Sequence, residues 1–325
     1  MRIWTDGAEL KSNVQTGNPG GVAMDTGTVR TGEYSYRLDN NGGWWHIGYF
    51  SECDLYVQFA IRFNHSDGNS WFHRLYNAST YVSQIDFIYR TLVFYCNGVQ
   101  KATYFPRKPT ERFILVEYHQ YIHPTNGIYE VKVDGDLIFS DNGLNSGVGP
   151  ATYLWFGSNW NNRGYYVDDI AINSGSGAYN NSWCGDSRSY IVVPDGAGDV
   201  TQLTPSAGAN YECVDELPPN TSDYTSGSSI GKYDLYNVGS VSSWLPSSYG
   251  IHAIHPIPYA YGISNDYIKI GIKTSGSEAW SAPIEMKGSW DAWTPIGFEA
   301  EPDGTLFTPA TLDLIQVGAM SSGSV

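Results

Sequence analysis

The chain has 325 residues, with 25 Tyr, 11 Trp and 36 Gly, only 16% charged residues and a formal net charge of −15. That length can hold one large sandwich or two ordinary domains, and the wealth of aromatic residues and glycine argues for short strands and tight turns rather than helices. No basic run exceeds the pair Arg107-Lys108 and no stretch approaches a membrane span, which excludes phosphate-directed nucleic-acid binding and membrane insertion by a helix.

The first ten residues, MRIWTDGAEL, lack an apolar core of signal-peptide length. They predict a chain that stays in the cytosol or leaves by a route without a cleaved signal, such as assembly into a virus particle. Trp44, Trp45, His46 and Tyr49 then cluster in NGGWWHIGYF. In DLYVQFAIRF, Leu55, Val57, Phe59, Ile61 and Phe63 alternate with Tyr56, Gln58, Ala60 and Arg62, the pattern of a strand with one face in a core. Glu52 and Asp54 begin a Glu-x-Asp-x-x-Glu arrangement of the kind that lines a glycosidase groove, but Val57 occupies the last acid position, so hydrolysis is not expected there.

Further strands are predicted at 84–89, 91–96, 112–121 and 151–157. Between them, 127–141 reads as a hairpin whose Asp134-Gly135 supplies the positive φ that a two-residue turn demands. His119 and His123 fall in a strand pattern, where i and i+4 lie ~13 Å apart at ~3.3 Å per residue, too far to share one ion. The stretch GSNWNNRGYY sets Trp160 beside Asn159, Asn161, Asn162 and Arg163. Aromatic faces with amides on loops can stack on and hydrogen-bond a sugar ring. Trp44, Trp45, His46, Asn159, Trp160, Asn162 and Arg163 are therefore candidate ligand contacts, against the alternative that the rings fill sandwich ends or a subunit contact.

GYYVDDIAIN (164–173) places two adjacent aspartates in a buried-strand pattern. Neighbours on a strand point to opposite faces, so one of Asp168 and Asp169 should look at solvent or a loop and the other inward. The expectation is that one aspartate bonds the backbone amides of a neighbouring loop. A Ca²⁺ site, which needs six or more oxygens, and catalysis are the alternatives.

A small polar link follows at 174–181, then a turn-rich stretch from Pro194 to Ser229. Strand patterns resume at 251–263 and 267–276, and 312–320 reads as a closing strand. Two β-domains meeting near residue 180 are the expected organisation. The four cysteines allow one disulfide per half, Cys53–Cys96 and Cys184–Cys213, or four reduced thiols. No nucleophile elbow and no Gly-rich loop opening a helix is present, so no enzyme activity and no cofactor beyond Ca²⁺ is expected.

From about Glu9 to Asn173 the chain resembles a LamG-like, concanavalin-type jelly roll, on the VDGDLI hairpin, YLWFGS and the closing YYVDDIAI. Beyond it, Gly185-Asp186, Thr204 to Gly208, Val214 to Pro218, Trp293-Thr294 and Gln316 to Gly318 resemble the tandem of tailed-phage and prophage structural proteins. The resemblance implies an all-β chain: a jelly-roll sandwich over 1–175, a joint at 176–190 and a second, smaller β-sandwich over 191–325 that docks to the particle. It implies a virion component (capsid decoration, head fibre or tail-associated protein) with other virion proteins as partners and a symmetric homo-oligomer. A lectin of the virion that recognises a host-surface glycan is the alternative, a polysaccharide-degrading enzyme is the third reading, and no catalytic residue carries over. Cys184 and Cys213 would staple the joint, although cysteine there is not part of the pattern.

Overall fold

The computed structural model describes residues 1–6, 8, 17–18, 22–38, 44–47, 50–65, 69–157, 164–263, 266–286, 288–292 and 297–323. The chain divides into two compact units, Met1–Tyr190 and Ile191–Val325. The expected joint at 176–190 lies inside the first unit.

The first unit contains β1 (Arg2–Asp6), β2 (Gly17–Asn18), β3 (Val22–Asp25), β4 (Ser35–Leu38), β5 (Trp44–Ile47), β6 (Asp54–Phe63), β7 (Asn69–Asn77) and β8 (Thr80–Ile88). It continues with β9 (Thr91–Cys96), β10 (Val99–Tyr104), β11 (Ile114–Tyr121), β12 (Gly127–Val133), β13 (Asp136–Leu144), β14 (Tyr153–Gly157) and β15 (Tyr165–Ser174). One antiparallel sheet runs β13-β12-β11-β6-β15-β4-β3, with β1 also on β15; the other runs β10-β9-β8-β7-β14-β5-β2. This is a jelly-roll β-sandwich.

Alternation builds the core. Leu55, Val57, Phe59, Ile61 and Phe63 of β6 are buried, as the sequence pattern predicts. Their rings meet the opposite sheet: Phe59 contacts Phe156 edge-on at 5.2 Å, and Phe63 stacks on Phe87 at 3.7 Å. A bulge in β7 between Trp71 and His73 turns both Phe72 and His73 inward. Burial pushes the His73 imidazole down to about 3, so it sits neutral in the core, bonded to the Tyr118 hydroxyl at 2.8 Å. The β12–β13 hairpin turns on Asp134 and Gly135 at φ +52° and +87°, the doubly positive pair that a tight turn of this twist requires.

The second unit is a six-stranded antiparallel sheet in the order Pro194–Thr201, Tyr233–Val238, Gln316–Ser322, Tyr267–Thr274, Ser277–Trp280, with Ile284–Glu285 also on Tyr267–Thr274. Two short ribbons accompany it, Thr204–Pro205 with Thr225–Ser226 and Tyr259–Ala260 with Asp291–Ala292. Val238, Val241, Leu245, Ile272, Phe307, Leu312 and Ile315 form its core. Two expectations are corrected here. Segment 251–263 is no strand: Pro256 and Pro258 remove ladder donors, so it pairs only at Ile254 and at Tyr259–Ala260. The turn-like 194–201 is an edge strand instead, with register shifts that absorb its glycines.

Candidate functional site

The paired aspartates lie where β15 changes partners. Along one edge, β15 pairs with β4 through Tyr165 to Val167 and with β1 from Ile170 onward. Between these, the ladder to β6 is irregular from Asp168 to Ala171, and Asp169 takes φ +49°. Leaving strand geometry there buries both carboxylates against loops, so the loop-facing aspartate expected from alternation is found and its neighbour joins it. The loop between β3 and β4 fills the gap. Asp168 Oδ2 accepts the amides of Arg30 (2.9 Å) and Thr31 (3.2 Å), and its Oδ1 accepts the Asp169 amide (2.8 Å). Asp169 Oδ2 accepts from Arg30 (2.6 Å) and from the Thr31 hydroxyl (2.8 Å), and its Oδ1 from the Ser189 amide (3.0 Å). Burial and, for Asp168, the neighbouring Asp169 charge raise the proton affinity of the pair, against these donors. The cation here is the Arg30 guanidinium, which also pairs with Asp186. Among the described residues no group of three or more His, Cys, Asp or Glu is placed to hold a metal.

Ser189 belongs to a strap, residues 182–190, that lies over the outward face of the eight-stranded sheet. Gln58 of β6 pairs with Ser187 as a strand would: its Nε2 donates to the Ser187 carbonyl (2.8 Å) and its Oε1 accepts the Ser187 amide (3.1 Å). The same Nε2 reaches the Asp169 carbonyl at 3.0 Å. Glu117 of β11 accepts the Gly185 amide at 2.8 Å, and burial raises its carboxyl. Next to it, His119 bridges Asp54 (2.8 Å) and Glu130 (3.0 Å), stacks on Tyr56 at 4.1 Å and meets the edge of Trp183. Lys132 lies 3.9 Å above the Trp183 ring. His123 serves its own turn, accepting the Asn126 amide at 2.9 Å.

All four cysteines are free thiols, the reduced one of the two alternatives. Cys184 donates to the carbonyls of Tyr56 and Ala171, and burial pushes its thiol up to about 12. Cys213 donates to the Ala207 carbonyl at 2.9 Å, and Cys96 lies buried against the Gln120 amide, whereas Cys53 is exposed. Each buried sulfur is thus held within its own unit.

The outward face of the seven-stranded sheet is built differently. Along β14, Leu154 and Phe156 go to the core while Tyr153 and Trp155 face out; along β5, Trp45 and Ile47 go in while Trp44 and His46 face out. Gly157 lets the Trp155 ring lie flat along the strand, because a Cβ there would stand 2.2 Å from that ring. Register then lines up His46, Trp155, Arg74, Gln84 and Tyr95 across β5, β14, β7, β8 and β9. Four inter-strand spacings make that row about 19 Å long.

The Arg74 guanidinium lies 4.1 Å from the Trp71 ring centroid, 4.8 Å from Tyr81 and 5.5 Å from Trp155. Trp71 and Trp155 are 5.4 Å apart, Tyr76 stacks on Tyr153 at 4.7 Å, and His46 contacts Trp44 and Tyr153. Gln84 orients the cation, accepting from Arg74 Nε (3.2 Å) while donating to both oxygens of Asp86 (2.8 and 2.9 Å). Burial raises the Asp86 carboxyl and lowers the His46 imidazole. The arrangement offers flat apolar rings beside one fixed cation, an amide and a neutral imidazole.

Of the expected ligand contacts, Trp44 and His46 belong to this face. Trp45 does not: it is buried, stacked on Phe156 and packed on Tyr36. Asn159, Trp160, Asn162 and Arg163 lie outside the described residues. Sequence reasoning missed Trp71, Arg74, Gln84, Tyr153 and Trp155. The alternation Tyr153-x-Trp155-x-Gly157 was the available signal.

No family model and no curated protein matches the chain. Among solved structures, a sialidase matches at TM-score 0.38 and 12% identity over 53% of this chain, but the match spans only 18% of the sialidase. A legume lectin-like domain from Entamoeba histolytica matches at 0.33 and 8% identity over 47% of this chain and 90% of its own. The binding domain of botulinum neurotoxin DC, solved in complex with rat synaptotagmin II, matches at 0.40 and 11% identity over 93% of this chain and 87% of its own.

Proposed function

We propose that the first unit binds a carbohydrate chain along the outward face of its seven-stranded sheet, without cleaving it. One observation carries the reading: the Arg74 guanidinium is layered among the half-exposed rings of Trp71, Tyr81 and Trp155. Rings that lie flat on a sheet offer their faces to the C–H side of a pyranose, and a planar cation held by Gln84 is positioned for hydroxyl or carboxylate oxygens. Among the described residues the patch contributes one carboxylate, Asp86, with both oxygens held by Gln84. Glycoside hydrolysis ordinarily works with two, which favours binding over hydrolysis.

On the tandem sequence pattern we further propose that the chain is a structural component of a phage particle. There, repeated symmetric copies would turn a weak glycan contact into adhesion. The test is an array of neutral and uronate-containing oligosaccharides probed with the purified chain, followed by titration of any hit. Binding that Trp155→Ala weakens by about tenfold or more, with no release of new reducing ends, is the expected result. An empty array, or unchanged affinity in that variant, would overturn the binding reading, and absence of the chain from purified virions would overturn the particle reading.

A further inference from the structure

The second unit carries its own cluster of rings. In the ribbon formed by Tyr259–Ala260 and Asp291–Ala292, Tyr259 pairs with Ala292 and Ala260 with Asp291, which sets Tyr261 and Trp290 across from each other at its end. Residues two apart on a strand share a face, so Tyr259, Tyr261 and Trp290 rise from one side of the ribbon. Trp290 lies 5.7 Å from Tyr259 with the planes 15° apart, and 5.9 Å from Tyr261 at 36°. Tyr224, just before the ribbon strand Thr225–Ser226, stands 6.0 Å away at 56° as a side wall. Tyr224 is 41% exposed and Tyr261 49%, so these rings do not serve as a core.

Charge narrows what such a platform can hold. From Ile191 onward the chain has four lysines and no arginine against fifteen Asp and Glu, a net of −11 out of −15. Asp223 adjoins Tyr224 in sequence, and the Glu216 carboxyl is raised by burial and by the charges of Asp215 and Asp223. A polyanionic chain is repelled from such a surface. A quaternary or protonated amine is ordinarily enclosed by rings set around it. Here Tyr259 lies nearly parallel to Trp290 at 15° and Tyr261 is tilted by 36°, all three on one side of the ribbon, a platform rather than a closed cage. We propose that Tyr224, Tyr259, Tyr261 and Trp290 form a second carbohydrate site, selective for neutral pyranose chains and separate from the open face of the first unit.

The test uses the full chain with soluble neutral glucan, mannan and galactan oligosaccharides, glucosamine oligomers and a uronate oligomer as probes. The variants are Tyr261→Ala, Trp290→Ala and, for the other site, Trp155→Ala. The expected result is a neutral oligosaccharide whose affinity falls about tenfold or more in Tyr261→Ala and Trp290→Ala, survives Trp155→Ala, and is lost from Tyr261→Ala at an unchanged thermal transition. Three results overturn the proposal: no neutral probe binds, a neutral probe binds equally well to both ring variants, or only glucosamine oligomers respond. Neutral binding lost solely in Trp155→Ala would place it on the first unit, leaving that reading intact while this one fails.

Discussion

Within the first unit, Tyr56, Gln58, Glu117 and His119 point outward from one sheet, and Trp71, Arg74, Tyr153 and Trp155 point outward from the other. The first set lies beneath the 182–190 strap, with Gln58 fully buried and its amide paired to Ser187 in both directions. The second set has no such cover among the described residues, and its rings remain half exposed around a cation. Outward alternation alone therefore does not make a binding surface. A face whose polar groups already meet fixed backbone partners has little to offer a ligand, because displacing those partners would leave buried groups unpaired. A face of amphipathic rings and one oriented guanidinium can exchange only loosely held water for a sugar.

The comparison breaks most severely at Asp169. Replacing it by alanine removes the charge opposite Arg30 and strands the Ser189 amide and the Thr31 hydroxyl. Removing one partner of a buried ion pair costs about 3–5 kcal/mol, which chemical denaturation of Asp169→Ala should show as a lower midpoint. Hydrogen exchange should rise first in 185–190, where the strap is tied. A stability loss under about 1 kcal/mol would mean that the strap is held by packing alone.

The second test is pH. His119 titrates above its ordinary 6.5: burial lowers it, but the hydrogen bonds and charges of Asp54 and Glu130 outweigh burial. A group whose folded pKa is raised stabilises fully below its unfolded pKa and loses that contribution as pH rises through the folded value. Glu117, Asp168 and Asp169 are raised as well, mainly by burial, and act in the same direction. Glu130 is lowered by His119 and Ser140 despite burial, so its contribution is lost on the acid side instead, below about 4.5. The stability of the first unit should therefore fall as pH rises from about 6.5 toward about 8, and His119→Gln should flatten that fall. A variant with the same slope as the parent would assign the dependence to the buried carboxylates.

Much of the sandwich was legible because period-two patterning survives wherever a strand is regular. The β6 core set and the Asp134-Gly135 hairpin follow directly from it. It failed where geometry departs from a strand. At Asp169 a left-handed residue in a bulge buries both carboxylates, and at 251–263 two prolines interrupt an apolar run that otherwise looks regular. The strap was not legible at all: NNSWCGDSR has no period, and its partners are side chains on strands far away in sequence. Candidate ligand residues were sought in Trp-rich loops, whereas the structure assembles rings from neighbouring strands, which only the register brings together.

The smallest effect on stability should come from the open face, and it is the one that separates the two faces by role. Arg74 lies over three rings and, among the described residues, hydrogen-bonds Gln84 (3.2 Å) and the Tyr76 hydroxyl (3.3 Å). An exposed cation–π contact is worth about 0.5–1 kcal/mol, so Arg74→Ala should cost about 1 kcal/mol, within reach of the precision of denaturation curves. Carbohydrate binding to the same variant should fall by about tenfold, since a positioned cation contributes to a ligand what water otherwise supplies in the free chain. The strap variant should show the opposite pattern, a large stability loss with glycan affinity preserved below its unfolding midpoint. If Arg74→Ala instead destabilised the fold as strongly as Asp169→Ala, the rings around it would be a structural layer left partly uncovered, and the binding site would have to be sought elsewhere on the chain.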